Sequence, residues 1–156
     1  MRALCLSQDQ LFIGTLGSEV FQVQLNVAGK QVGKPRLLVN GHYAPSQKDN
    51  NEIWGLTVLP NRDQYVSVSD DATMRVWDSQ ARAQTKYIPL NIDQNGNMMP
   101  MDPATQELSD ATKARCCDVS SDGKFCALGF KDGTFRIYET TNWKMVAKKK
   151  AGEKLI

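Results

Sequence analysis

An all-β fold of repeated four-stranded antiparallel sheets is what the 156-residue sequence predicts, and three observations carry the prediction. The segment ATMRVWD (72–78) aligns with GTFRIYE (133–139), and SEVFQVQ (18–24) aligns more weakly with both, so one unit recurs along the chain. A matching strand precedes each copy: LFIGTLG (11–17), YVSVSDD (65–71) and CALGFKD (126–132). Both sets alternate with period two, and turns carrying Gly, Asp or Ser join each pair, so each pair is a hairpin.

A further strand leads into each hairpin: RALCLS (2–7), EIWGLTVL (52–59) and ARCCDVS (114–120). The last two leave through turns at residues 60–63 and 121–123, where Pro, Asn, Asp, Ser and Gly favour a reversal. Outer fourth strands follow at 34–39, 84–90 and 144–149. Four short antiparallel strands per repeat, without intervening helix, make the blade of a β-propeller, and about three blades of a larger ring are expected here.

The expected division is a first blade at 1–39, incomplete at its start, a second with its inner loop at 40–91, an inserted loop at 92–112 and a third blade at 113–150. Residues 151–156 would begin a next blade. The repeats lie 54 and 61 residues apart, longer than a compact repeat of about 40–45 residues. Two polar segments supply the excess, GHYAPSQKDNN (41–51) and roughly 93–112, and neither is apolar enough to pack on its own. Met98, Met99 and Met101 in the second are either idle loop residues or a cap for a partner's apolar groove.

Composition is that of an ordinary globular protein. No apolar run approaches the roughly 20 residues of a membrane span and no signal-peptide core opens the chain, so a soluble, non-secreted protein is expected. Cys5, Cys116, Cys117 and Cys126 lack paired zinc spacing and are read as reduced core thiols. The single histidine, His42, has no nucleophile motif beside it. No catalytic residue, metal site or cofactor is therefore expected, and the chain reads as a binding scaffold rather than an enzyme. From Lys113 onward ten Lys/Arg face five Asp/Glu, against nine and twelve before it. Lys148, Lys149 and Lys150 form the one cationic run, either a solvated strand end or a contact for an acidic surface.

The middle unit resembles the WD-repeat signature: Gly41-His42, then Ser67, Asp71 and Trp77-Asp78. That resemblance implies one hydrogen-bonded chain in which Asp71 accepts from the imidazole, His42 passes the link to Ser67, and the Trp77 indole donates at the far end. The third unit has Leu128 for the serine and Tyr138 for the tryptophan. The first has Gly17, Gln22 and Val23 at the corresponding places.

A narrower likeness lies in Glu52-Ile53-Trp54-Gly55-Leu56 after Gly41-His42, in IGTLGSEVFQV (13–23) and in ARCCDVSSDGKFCALGFKDGTFRIYE (114–139). These are similar to blades of the echinoderm microtubule-associated protein-like (EMAP-like) family. The resemblance implies a piece of a tandem propeller that binds tubulin in the cytoplasm and cytoskeleton, cilia and axonemes included. The alternative is a WD-repeat adaptor that reads a peptide or assembles another complex. For either, Trp54, Asp70 and Lys131, near inner-strand starts or tight turns, are candidate contacts, Trp54 being open also to a role in packing between blades.

Overall fold

Alternating β-branched and aromatic residues bounded by turn formers leave the backbone few alternatives to paired strands, and twelve strands form among the described residues. A computed structural model describes residues 1–43, 51–93, 95–102 and 107–150. The strands are β1 (Ala3–Ser7), β2 (Gln10–Gly14), β3 (Glu19–Leu25), β4 (Gln31–Asn40), β5 (Ile53–Val58), β6 (Gln64–Ser69), β7 (Thr73–Asp78), β8 (Ala83–Pro89), β9 (Ala114–Val119), β10 (Phe125–Phe130), β11 (Thr134–Glu139) and β12 (Met145–Lys150). They make three antiparallel sheets of four strands each, ordered β1-β2-β3-β4, β5-β6-β7-β8 and β9-β10-β11-β12. The inner strands β1, β5 and β9 are neighbours, so the sheets stand side by side like blades around an axis.

Register fixes which face each residue serves. Tyr65 pairs with Trp77 and Ser67 with Arg75, whereas Val66 pairs with Val76 and Val68 with Met74. Period two then sends Tyr65 and Trp77 towards the first sheet, where they join Ala3, Phe12, Val20 and Ile53. Val66, Val68, Met74 and Val76 turn to the third sheet and meet Cys126, Leu128, Phe130 and Tyr138. Burying each such aliphatic side chain contributes about 1.5–3 kcal/mol, and the middle sheet buries both faces. The outermost faces of the row stay open: Leu4 and Leu6 are 51% and 61% exposed on the first sheet, Phe125 and Phe135 45% and 39% on the third.

The turn between second and third strands repeats one backbone device. Ser18, Ala72 and Gly133 occupy the same place in the three units and all have positive φ, 66°, 56° and 81°. Only the third uses the residue for which that region is free of strain.

The 92–112 segment, expected to be an unstructured insertion, is partly built. Ile92 bridges Met98, and Asp110–Thr112 form one 3-10 turn capped by Ser109. Leu108 and Thr112 are buried, so the polar composition hid two anchoring side chains. Residues 44–50 of the first predicted loop and 151–156 of the predicted next blade lie outside the described residues.

Candidate functional site

Strands β6 and β7, the tight turn between them and the connection entering the second sheet converge on His42, which is 2% exposed. Its Nδ1 stands 2.9 Å from Asp71 Oδ2 and its Nε2 2.7 Å from Ser67 Oγ. The Trp77 indole N–H donates to the same Ser67 oxygen at 2.7 Å. An ionised carboxylate can only accept, so Nδ1 carries a proton for Asp71. In the neutral ring Nε2 then accepts from the serine hydroxyl, whose oxygen accepts from the indole, and every member is satisfied. Gly41 precedes the histidine because a Cβ there would collide with the Trp77 ring.

Thr73 completes the Asp71 environment, donating its backbone N–H at 3.0 Å and its hydroxyl at 2.7 Å to Oδ1. Arg75 pairs with Oδ2 at 3.1 Å. Burial alone would raise the Asp71 carboxyl; the hydrogen bond from His42 and, when the ring is protonated, its charge, then Thr73 and Arg75, outweigh it and hold the group below the usual range. Such an arrangement knits the connection, β6, the tight turn and β7 together.

Trp54 and Asp70 come together at the turn end of the sheets. The Trp54 indole donates to Asp70 Oδ2 at 3.0 Å, and Arg115 donates to Asp70 Oδ1 at 2.5 Å. The Trp54 ring lies between two cations, Arg115 at 4.2 Å and Arg2 at 4.7 Å from its centroid. Arg2 pairs in turn with Glu52 at 2.8 Å. One ring thus links the first, second and third sheets, each cation–π contact contributing about 0.5–1 kcal/mol. Lys131 holds the third sheet's counterpart of the Asp70 position and pairs with Asp110 at 3.0 Å, both half-exposed. Lys148 and Lys150 are exposed on the outer strand β12 and Lys149 is half-buried. The fields of Lys150 and Lys148 contribute to the lowered Asp132 carboxyl, behind the two Thr134 hydrogen bonds that outweigh its burial.

The cysteines divide. Cys126 is buried and burial pushes its thiol up to about 12; Cys117 is raised well above the ordinary value by burial and then by neighbouring thiols. Burial likewise raises Cys5. Thiols of this kind are poor nucleophiles. The reading of all four as core thiols needs one correction: Cys116 is exposed, because alternation along β9 turns it away from the side that Cys117 occupies. Among the described residues no group of three or more His, Cys, Asp or Glu is placed to hold a metal ion.

Two arginines escaped the sequence reading although ATMRVWD and GTFRIYE both display them. Arg75 donates to the Gly41 carbonyl, and Arg136, 2% exposed, donates to Leu90 O at 2.8 Å and Ala111 O at 2.6 Å. Each ties the connection arriving from the preceding sheet to the third strand of its own.

The family profile described as WD domain, G-beta repeat matches residues 33–78 and 105–139, more than half of the chain. The matched segments end on Trp77-Asp78 and Tyr138-Glu139, the last residues of β7 and β11. The chain belongs to the WD-repeat family. WD repeats mediate protein–protein contacts and are generally non-enzymatic scaffolds or adaptors. In these terms His42, Ser67, Asp71 and Trp77 lie inside a WD repeat, while Trp54, Asp70 and Lys131 lie at one end of its blades.

Proposed function

We propose that this chain is an arc of a non-catalytic, microtubule-associated WD-repeat scaffold of the EMAP-like kind that binds tubulin in the cytoplasm and cytoskeleton, including cilia and axonemes. The observation that carries the reading is the basic outer strand of the third blade, where Lys148 and Lys150 are exposed on an edge that an acidic protein surface can approach. The Glu52-Ile53-Trp54-Gly55-Leu56 segment supports the subfamily, and its tryptophan is built into the junction of three blades. Attraction between a lysine edge and an acidic surface is screened by salt over about 10 Å at 0.1 M. Microtubule co-sedimentation of the chain should therefore weaken as salt rises and when Lys148, Lys149 and Lys150 are changed together to Gln. A pelleted fraction insensitive to both would remove the electrostatic basis of the proposal.

A second reading, a WD-repeat adaptor for a peptide or a non-cytoskeletal complex, is favoured by the exposed Lys131 and half-buried Trp54 at one end of the blades, whereas the candidate contact Asp70 is buried there with both oxygens bonded. Affinity capture with the chain as bait separates the two. Tubulin among the captured proteins supports the first, and receptors or ligase subunits without tubulin support the second.

A further inference from the structure

A cleft of about 540 Å³ opens between the second and third blades on their outer side, away from Trp54 and Asp70. One wall is the exit from β8: Ile88, Ile92 and Met99, the last brought in by the Ile92–Met98 bridge and by its own N–H bond to Asn91 O at 2.6 Å. The other wall is Trp143 and Met145, with Tyr138 deeper in. Trp143 stands at the turn before β12 with φ 59°, where the second blade places Arg82 at 53°. The turn is common to both blades, but here it carries a bulky ring that packs half-buried against the inter-blade core.

Polar groups are distributed unevenly around these walls. Arg136 lines the floor with its two terminal nitrogens bound to carbonyls and its buried Nε without a hydrogen-bond partner. Lys144 and Lys148 stand on the rim, neither in an ion pair among the described residues. The one carboxylate in the cleft, Asp93, is already engaged: Oδ1 accepts from the Asn95 and Asn97 amides at 2.8 and 2.9 Å, and Oδ2 from Asn97 Nδ2 at 3.3 Å. A concave apolar site with two exposed cations at its mouth suits an apolar group next to a negative charge.

We propose that this cleft docks a partner peptide in which a bulky apolar residue is flanked by acidic ones. The apolar side chain enters among Ile92, Met99 and Trp143, and the flanking carboxylate meets Lys144 and Lys148. This surface is separate from the turn end of the blades and does not depend on tubulin being a partner.

The test uses the full 156-residue chain and two labelled pentapeptides, Asp-Leu-Phe-Asp-Leu and its Asn-Leu-Phe-Asn-Leu counterpart, followed by fluorescence anisotropy. Two exposed ion pairs correspond to about a five- to tenfold preference for the acidic peptide. Lys144→Gln should remove most of that preference, and Met145→Asp, at an exposed wall position, should weaken both peptides, whereas Lys149→Gln should change neither. A photocrosslinker replacing the peptide phenylalanine should label segments 88–99 and 138–148 of the unsubstituted chain, which decides the matter if Met145→Asp fails to fold. Equal binding of the two peptides, no binding up to about 1 mM, or crosslinks confined elsewhere would overturn the proposal.

Discussion

The second and third blades have the same strands, the same turn and the same threonine-bound aspartate, yet they are held together differently. In the second, a polar chain runs from Trp77 through Ser67 and His42 to Asp71. In the third, Leu128 and Tyr138 take the places of serine and tryptophan and are 1% and 4% exposed, while Asp132 accepts two bonds from Thr134 and none from a histidine. The arginines shift to match. Arg75, lying over Tyr87 at 5.4 Å, divides its donors among Asp71, Thr73, Gln84 and the Gly41 carbonyl, whereas Arg136 stacks over Phe130 at 4.2 Å and serves two carbonyls of the incoming connection. A blade can therefore lose its histidine network when apolar contacts and one buried cation hold the same connection.

The sharpest way to break this comparison is Arg136→Ala, which strands two carbonyls and opens a void beside Phe130. A loss of about 3 kcal/mol is expected in urea unfolding, against about 1 kcal/mol for the less buried Arg75→Ala. Equal losses would mean that the third blade does not lean on its arginine. His42→Ala comes next, at about 1–3 kcal/mol, because Ser67 and Asp71 lose a buried partner. An unfolding midpoint equal to the parent's, with partner binding abolished, would make His42 a contact residue instead.

Acid tests the same network. The Asp71 carboxyl is lower in the folded state than unfolded, so its contribution is complete above the unfolded value of about 3.9 and is lost as pH falls through the folded one. Unfolding midpoints taken from about pH 5 down to about pH 2 should fall more steeply for the parent than for Asp71→Asn; parallel curves would show that another group carries the acid sensitivity. The smallest effect is expected at Tyr65, whose buried hydroxyl has no hydrogen-bond partner among the described residues. Tyr65→Phe should raise stability by up to about 1 kcal/mol, and a loss of that size would reveal a partner for the hydroxyl.

Much of the strand layout is legible in the sequence. The steep alternation in YVSVSDD and CALGFKD put β6 and β10 within a residue or two of their observed ends. The outer strand β4 begins at Gln31 rather than at residue 34, because its first residues are exposed and carry no alternation. The approach of Arg115 to Asp70, or of Arg136 to Leu90 and Ala111, spans 25 to 46 residues and depends on how sheets stack, which local pattern does not encode. Leu108 and Thr112 were hidden for a related reason: isolated apolar or small residues in a polar stretch become anchors only when a neighbouring sheet offers them a place. The repeated arginine was visible in the alignment, and what was missing was a partner to assign to it.

The two open faces of the blade row are not alike. Leu4 and Leu6 sit where the second blade has Leu56 and Val58, on the side that looks back along the row; Phe135 sits where it has Met74, on the side that looks forward. The row therefore has a direction, with one open face looking back along it and the other looking forward. Copies that associate through these faces add heterologously and in one sense only, so growth ends when a circle closes and continues as a fibre when it does not. Sedimentation over a range of concentrations would distinguish a species that stops growing from one that does not.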